Sequence, residues 1–117
     1  MLSNKVNIPS DPKPEFNAME FIREVRRVSQ PLIPFLVHKI LPVGRVVGQE
    51  YEALNPLRQD KNYGSFKINL LSGKWADFAT NDKGGDIISL YAYVNRAKQL
   101  EAAREIYVIL RGGDHGK

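Results

Sequence analysis

The sequence predicts an α+β fold, in which a small antiparallel β-sheet is flanked by helices at the N-terminal and C-terminal ends. Three observations support this prediction. Apolar residues recur at helical spacing near the start of the 117-residue chain, alternate with polar residues through its centre, and return to helical spacing near its end. A single domain of roughly 100 to 150 residues buries enough surface to fold without disulfides or metal ions. We therefore expect one domain, over residues 16–111.

The first helix is predicted to follow an N-terminal arm. Residues 1–15 contain three prolines and few apolar anchors, which is typical of a flexible arm. Asn17 and Glu20 then have the spacing of a capping box, which marks a helix start. The predicted core-facing side of this helix consists of Ala18, Phe21, Ile22, Val25 and Val28.

The next elements are a short helix and a strand. Residues 34–40 are apolar and are followed by Pro42 and Gly44, which predicts a second helix that ends there. From residue 45 to residue 53 polar and apolar side chains alternate with period two, which predicts one strand. A polar loop containing a proline is expected over residues 55–62.

Two more strands complete the predicted meander. Residues 63–70 alternate again and residues 71–73 form a short turn into a strand over residues 74–79. Residues 80–85 are expected to form a polar loop, after which Asp86 is placed to cap a helix.

The last helix is predicted over residues 99–111. Gly112 and Gly113 stop it, and residues 112–117 form a short polar tail that we expect to be flexible.

The composition excludes several classes of protein. With no cysteine and only two histidines, the chain has no thiol chemistry, no disulfides and no thiolate zinc site. Phosphate-binding loops, serine-nucleophile motifs and Asp-x-Asp pairs for magnesium are all missing from the sequence. We therefore predict no enzymatic activity, no metal and no cofactor.

The sequence also predicts a cytoplasmic protein with no membrane partner. No apolar run approaches the roughly 18 residues that span a bilayer, and the first 14 residues have no apolar signal-peptide segment. The net charge of +4 is a modest bias toward anionic partners.

Basic and aromatic residues are interleaved between residues 58 and 83. If Trp75 shares the outer side of the sheet with Tyr63 and Lys67, that side combines cations with aromatic platforms, the surface on which single-stranded nucleic acid binds. In the alternative, which composition alone favours, Trp75 and Phe78 fill the core and the lysines only face solvent. The candidate nucleic-acid-binding residues are Arg58, Lys61, Tyr63, Lys67, Lys74, Trp75 and Lys83.

The order of motifs resembles the N-terminal zinc-binding, or zinc-ribbon, domain of bacterial DNA primases. The resemblance covers about residues 16–110, and its strongest pieces are Leu54-Asn55-Pro56-Leu57, Ser65-Phe66 and Gly84-Gly85-Asp86-Ile87. It implies a zinc-ribbon-like meander that contacts single-stranded template DNA beside a separate catalytic domain.

This chain departs from the family at the metal ligands. Asn55 and Arg58 stand where the family has Cys and His, and no thiol lies between Trp75 and Lys83. Zinc binding is therefore not carried over. Because a structural zinc supplies on the order of 10 kcal/mol of folding free energy, we expect packing, with Trp75 and Phe78 near the vacated position, to replace it. Arg58 would place a cation there.

These observations lead to two functional hypotheses. The first is a non-catalytic accessory domain that binds single-stranded DNA in a replication system of a mobile element, beside a primase, polymerase or helicase. The second is a module that docks to a replication enzyme and has no DNA affinity of its own. An exposed apolar patch from residues 31–41 would be its signature.

Overall fold

The structure is a computed structural model that describes residues 17–59 and 61–112. The predicted arm over residues 1–15 and most of the predicted tail lie outside the described residues. No helix in the described part of the chain is long and apolar enough to cross a membrane. The elements in chain order are α1 (Ala18–Ser29), a 3-10 turn (Gln30–Leu32), α2 (Ile33–Ile40), β1 (Gly44–Val47), β2 (Glu50–Ala53), β3 (Phe66–Asn69), β4 (Trp75–Asp77), β5 (Asp82–Gly84), α3 (Ile87–Asn95) and α4 (Gln99–Leu110).

The α+β prediction is confirmed, and so are the four predicted helices. Asn17 caps α1 by accepting a hydrogen bond from the Met19 backbone N–H. Asp86 caps α3 in a capping box with Ser89, and its carboxylate also pairs with Arg26 at 2.7 Å. The Asp86 carboxylate therefore occupies the N-terminus of α3, as expected of a capping residue.

The predicted single strand over residues 45–53 is wrong, because the chain reverses in its middle. β1 and β2 form a hairpin in which Val47 pairs with Glu50 across a two-residue turn. Gly48 has φ +63 there, a conformation that side chains disfavour and glycine accepts. The reversal changes the faces as well, since Val46 rather than Val47 now lies on the same side of the sheet as Tyr51.

The predicted loop over residues 80–85 contains a fifth strand, so the predicted three-stranded meander is a five-stranded one in the order β1-β2-β3-β4-β5. β5 is three residues long and polar, and it carries no alternation that could reveal it. Its glycine, Gly84, pairs with Trp75 and lies so close to the Trp75 and Ser89 side chains that a Cβ atom would collide with them.

The core lies between one side of the sheet and the helices. Tyr51, Ile68 and Trp75 are cross-strand neighbours on this side, and all three are buried. The Tyr51 hydroxyl donates a hydrogen bond of 2.7 Å to the Leu41 carbonyl at the end of α2. The opposite side of the sheet, which we call the outer face, is left to solvent.

The end of α3 offers a test of local backbone strain. Arg96 follows the helix in the left-handed conformation (φ 53, ψ 44), which favours glycine. Arg96→Gly is therefore expected to raise the free energy of unfolding by about 0.5 to 1 kcal/mol, measured by urea denaturation. Arg96→Ala is the matched control, since it removes the same side chain without relieving the strain. An equal gain in both variants would contradict this explanation.

Candidate nucleic-acid interface

A row of charged side chains crosses the outer face of the sheet. Residues directly opposite each other in antiparallel strands lie on the same face. With strands roughly 4.8 Å apart, a row over five strands is about 19 Å long, enough for about five stacked nucleotides at 3.4 Å each. The strand register gives the row as Arg45, Glu52, Lys67 and Lys83, with the uncharged Ala76 between the two lysines.

Glu52 lies between two of these cations. Its carboxylate accepts hydrogen bonds from Arg45 at 2.9 and 3.0 Å, and the Lys67 ammonium lies 3.9 Å away. The Arg45 and Lys67 side chains are 58% and 37% exposed. The Glu52 side chain itself is only 11% exposed. A ligand phosphate would therefore contact the exposed parts of these two cations rather than displace Glu52.

Beside the row lies an open groove of about 280 Å³ whose lining includes Lys67, Lys74 and Phe78. The Phe78 side chain is 67% exposed. This places an accessible aromatic ring next to two lysines, the combination that a stacked base and its phosphates require.

Tyr63 supplies a second aromatic ring. It lies in the loop before β3, is 37% exposed, and its ring centre is 4.7 Å from the guanidinium carbon of Arg45. Lys61 is exposed in the same loop, and Lys83 is exposed on β5. Of the predicted binding residues, the structure thus leaves Lys61, Tyr63, Lys67, Lys74 and Lys83 accessible, of which Lys67 and Lys83 belong to the row and Lys74 to the groove.

Trp75 is on the other side of the sheet, so the hypothesis that it stacks on a base from the outer face is wrong. It is only 6% exposed, its indole N–H donates to the Ser89 hydroxyl at 2.9 Å, and its ring lies 4.6 Å from that of Tyr93. The reason is the strand register, which makes Trp75 the neighbour of the buried Ile68. The expectation that Phe78 packs in the core is wrong as well: Trp75 is buried, and Phe78 is exposed.

Arg58 belongs to a different group, which we call the polar cluster: Asn55, Arg58, Asp77 and Tyr93. The Arg58 guanidinium donates to Asp77 at 2.9 Å and to the Ser65 hydroxyl at 2.9 Å. The Asn55 amide donates to the same carboxylate at 2.7 Å. Since its charge is balanced by a fully buried carboxylate, Arg58 is part of the scaffold and not of the predicted binding surface.

The ionisation of Asp77 follows from these contacts. Burial by itself would raise the pKa of Asp77. Hydrogen bonds from Asn55, Arg58 and the Ala79 backbone N–H, together with the Arg58 charge, outweigh burial and hold this pKa below its ordinary value. The carboxylate is therefore charged at neutral pH.

The polar cluster does not fit a zinc ion. A guanidinium and a side-chain amide N–H donate hydrogen bonds, whereas zinc in proteins is bound by thiolate, imidazole or carboxylate. Among residues 17–59 and 61–112, no three His, Cys, Asp or Glu side chains come together as a metal site would need. Asn55 and Arg58 both donate hydrogen bonds to the Asp77 carboxylate.

The sequence interpretation missed two residues of the outer face, Arg45 and Phe78. The sequence did not predict the turn at Gly48, and that turn moves every residue before it to the opposite side of the sheet. Arg45 therefore lies on the outer face, whereas a single continuous strand would have placed it on the side of Tyr51. Phe78 follows Asp77, and only the burial of Asp77 with the polar cluster shows that the next side chain points outward.

Comparison of the chain with protein-family models, with curated proteins and with solved structures finds no match. The likeness to the primase domain therefore stays a prediction that depends on the motifs quoted above.

Proposed function

We propose that this chain is a non-catalytic accessory domain that binds single-stranded DNA across the outer face of its sheet. The observation that carries the proposal is the row of Arg45, Lys67 and Lys83 on three different strands, next to the exposed Phe78 ring. In this role the cations contact phosphates spaced along the strand and the aromatic ring stacks on a base.

The arrangement favours a single strand over a duplex. A base can stack on Phe78 or Tyr63 only when its face is free, and in a duplex the faces are covered by neighbouring base pairs. Four cations, Arg45, Lys67, Lys74 and Lys83, stand against two carboxylates, Glu50 and Glu52, on this side. The surplus of positive charge is small, so we expect weak binding that depends strongly on salt.

The cellular role follows from the primase resemblance. As in that family, the domain would hold the template strand for a separate primase, polymerase or helicase, in the replication system of a mobile element. The chain does so without a metal, since the polar cluster joins the loop after β2 to β4 in place of zinc. A neighbouring gene for such an enzyme would agree with this role.

Titration of a labelled oligonucleotide of about 12 thymidines, followed by fluorescence anisotropy, tests the proposal. With about three phosphate contacts, the logarithm of affinity should fall with the logarithm of salt concentration with a slope of about −2. Raising the salt from 50 to 200 mM should then weaken binding roughly 20-fold. Lys67→Ala removes one contact and should reduce this factor to roughly sevenfold.

Arg96→Ala is the charge-matched control, since it removes one exposed cation at the end of α3, outside the outer face. It should leave both the affinity and the salt dependence nearly unchanged. Absence of binding at 50 mM salt, or binding that ignores salt, would overturn the proposal.

A further inference from the structure

We propose that α2 and β1 form a docking surface for an acidic segment of a partner protein that carries apolar side chains. The surface, which we call the apolar strip, consists of Leu32, Phe35, Val43 and Val46. It lies on the helix side of the sheet and uses none of the residues proposed to bind DNA. The inference therefore goes beyond the proposed function and does not depend on it.

The strip is exposed although its neighbours in sequence are buried. Leu32, Phe35, Val43 and Val46 are 43%, 47%, 60% and 56% exposed. Isolated exposed apolar residues are common on protein surfaces, whereas exposed apolar residues that cluster in space are characteristic of an interaction site.

Contacts in the structure connect the elements that carry these side chains. Leu32 ends the 3-10 turn that leads into α2, three residues before Phe35. His38 on the same exposed side of α2 contacts the Tyr51 ring, with 4.9 Å between the ring centres. Tyr51 is in turn the cross-strand partner of Val46, and Val43 lies in the connection between α2 and β1.

The surface also has a rigid base. Leu36, Val37 and Leu41 are at most 3% exposed, and the Leu41 carbonyl accepts the Tyr51 hydroxyl at 2.7 Å. A partner would therefore find the apolar side chains already positioned, which lowers the entropy lost on binding.

The charge around the strip indicates the chemistry of the partner. The sequence has no Asp or Glu between Glu24 and Glu50, a stretch that includes all of α2 and β1. The Lys39 ammonium lies 5.8 Å from the centre of the Phe35 ring, so a cation accompanies the most prominent apolar group. Carboxylates next to apolar side chains would complement both features.

A nucleic acid fits this surface less well than a peptide. Lys39 is the one lysine or arginine on α2, whereas a phosphate backbone needs a row of cations like that on the outer face. β1 is also the terminal strand of the described sheet and pairs only with β2 there, so its other edge can accept the main chain of a peptide.

The test is fluorescence anisotropy with the full chain and a labelled peptide probe of about ten residues that alternates Asp or Glu with Leu or Phe. Saturable binding is expected, and the same peptide with Lys in place of its acids should not bind. Phe35→Ser removes a central anchor and should weaken binding about tenfold or more. Lys39→Glu should also weaken it, by charge repulsion.

Val108→Ser is the matched control, since Val108 is 47% exposed on α4, as exposed as Phe35. It should leave peptide binding unchanged, and so should Lys67→Ala, which affects only the proposed DNA surface. Retention of peptide binding in Lys67→Ala together with loss in Phe35→Ser separates this inference from the DNA proposal.

Three results would overturn the inference. The first is the absence of binding, or equal binding by the native chain and Phe35→Ser. The second is a dimer in sedimentation experiments that Phe35→Ser dissociates, which would assign the strip to a second copy of the chain. The third is displacement of the peptide by a thymidine oligonucleotide, which would assign the strip to nucleic acid.

Discussion

Replacement of Asp77 by alanine is expected to lower the free energy of unfolding by about 3 to 5 kcal/mol. The Asp77 side chain is fully buried and accepts hydrogen bonds from Asn55, Arg58 and the Ala79 backbone N–H. Its removal takes one hydrogen-bond acceptor from Asn55 and the paired carboxylate from the partly buried Arg58 guanidinium. Small domains have a total stability of about 5 to 15 kcal/mol, so the variant should approach the limit of folding.

The measurement is equilibrium urea denaturation followed by circular dichroism. Glu24→Ala is the control, because it also removes a carboxylate paired with an arginine, Arg27, but at the exposed surface of α1. Its effect should be far smaller. An unfolding midpoint of Asp77→Ala equal to that of the native chain would show that the polar cluster does not hold β4 to the loop after β2.

The same cluster predicts how stability depends on pH. The folded pKa of Asp77 lies below its unfolded value of about 3.9. The ion pair therefore contributes its full stability above that value and loses it as the pH falls through the lowered folded pKa. The urea midpoint of the native chain should fall from pH 5 to pH 3 more than that of Asp77→Asn, which has no charge to lose. Parallel pH curves would contradict this assignment.

Replacement of Phe78 by alanine is expected to weaken oligonucleotide binding roughly 5- to 150-fold, since stacking on one aromatic ring is worth about 1 to 3 kcal/mol. Phe78 is 67% exposed, so its loss should cost the fold little. The measurement is the thymidine titration described above, at low salt. The salt dependence should remain that of the native chain because no cation is removed.

Trp75→Phe is the comparison that separates the two aromatic residues. It keeps an aromatic ring at position 75 but loses the hydrogen bond to Ser89, so the variant should be less stable yet bind DNA normally. If Trp75→Phe weakened binding and Phe78→Ala did not, the assignment of the outer face would be wrong.

Much of the fold could be predicted because its signals are local. The caps at Asn17 and Asp86 and the apolar spacing of α1 and α4 act within one or two helical turns, and the structure has these helices close to the predicted bounds. The turn between β3 and β4 could also be predicted from local sequence. The Asn69 side chain stabilises this turn by accepting hydrogen bonds from the Leu71 and Ser72 backbone N–H groups.

The sheet was harder to predict because strands are stabilised by partners distant in sequence. The period-two pattern over residues 45–53 contains a turn that alternation does not reveal. β5 has three polar residues and exists only because β4 offers an edge on which Gly84 can approach Trp75 closely. The signal that could have been used is Gly48, placed within an otherwise alternating run.

By itself, the sequence determined the α+β class, the positions of the helices and the presence of basic and aromatic residues in the central third of the chain. Only the tertiary structure decided which of those residues meet. Register placed Trp75 inside and Phe78 outside, and the approach of β4 to the loop after β2 paired Arg58 with Asp77 nineteen residues away. The physical reason is the sequence separation of the interacting residues. Helix caps and apolar periodicity involve residues a few positions apart. The side of the sheet on which a strand residue lies, and the partner of a charged side chain, depend instead on residues that are distant in sequence and meet only when the chain folds.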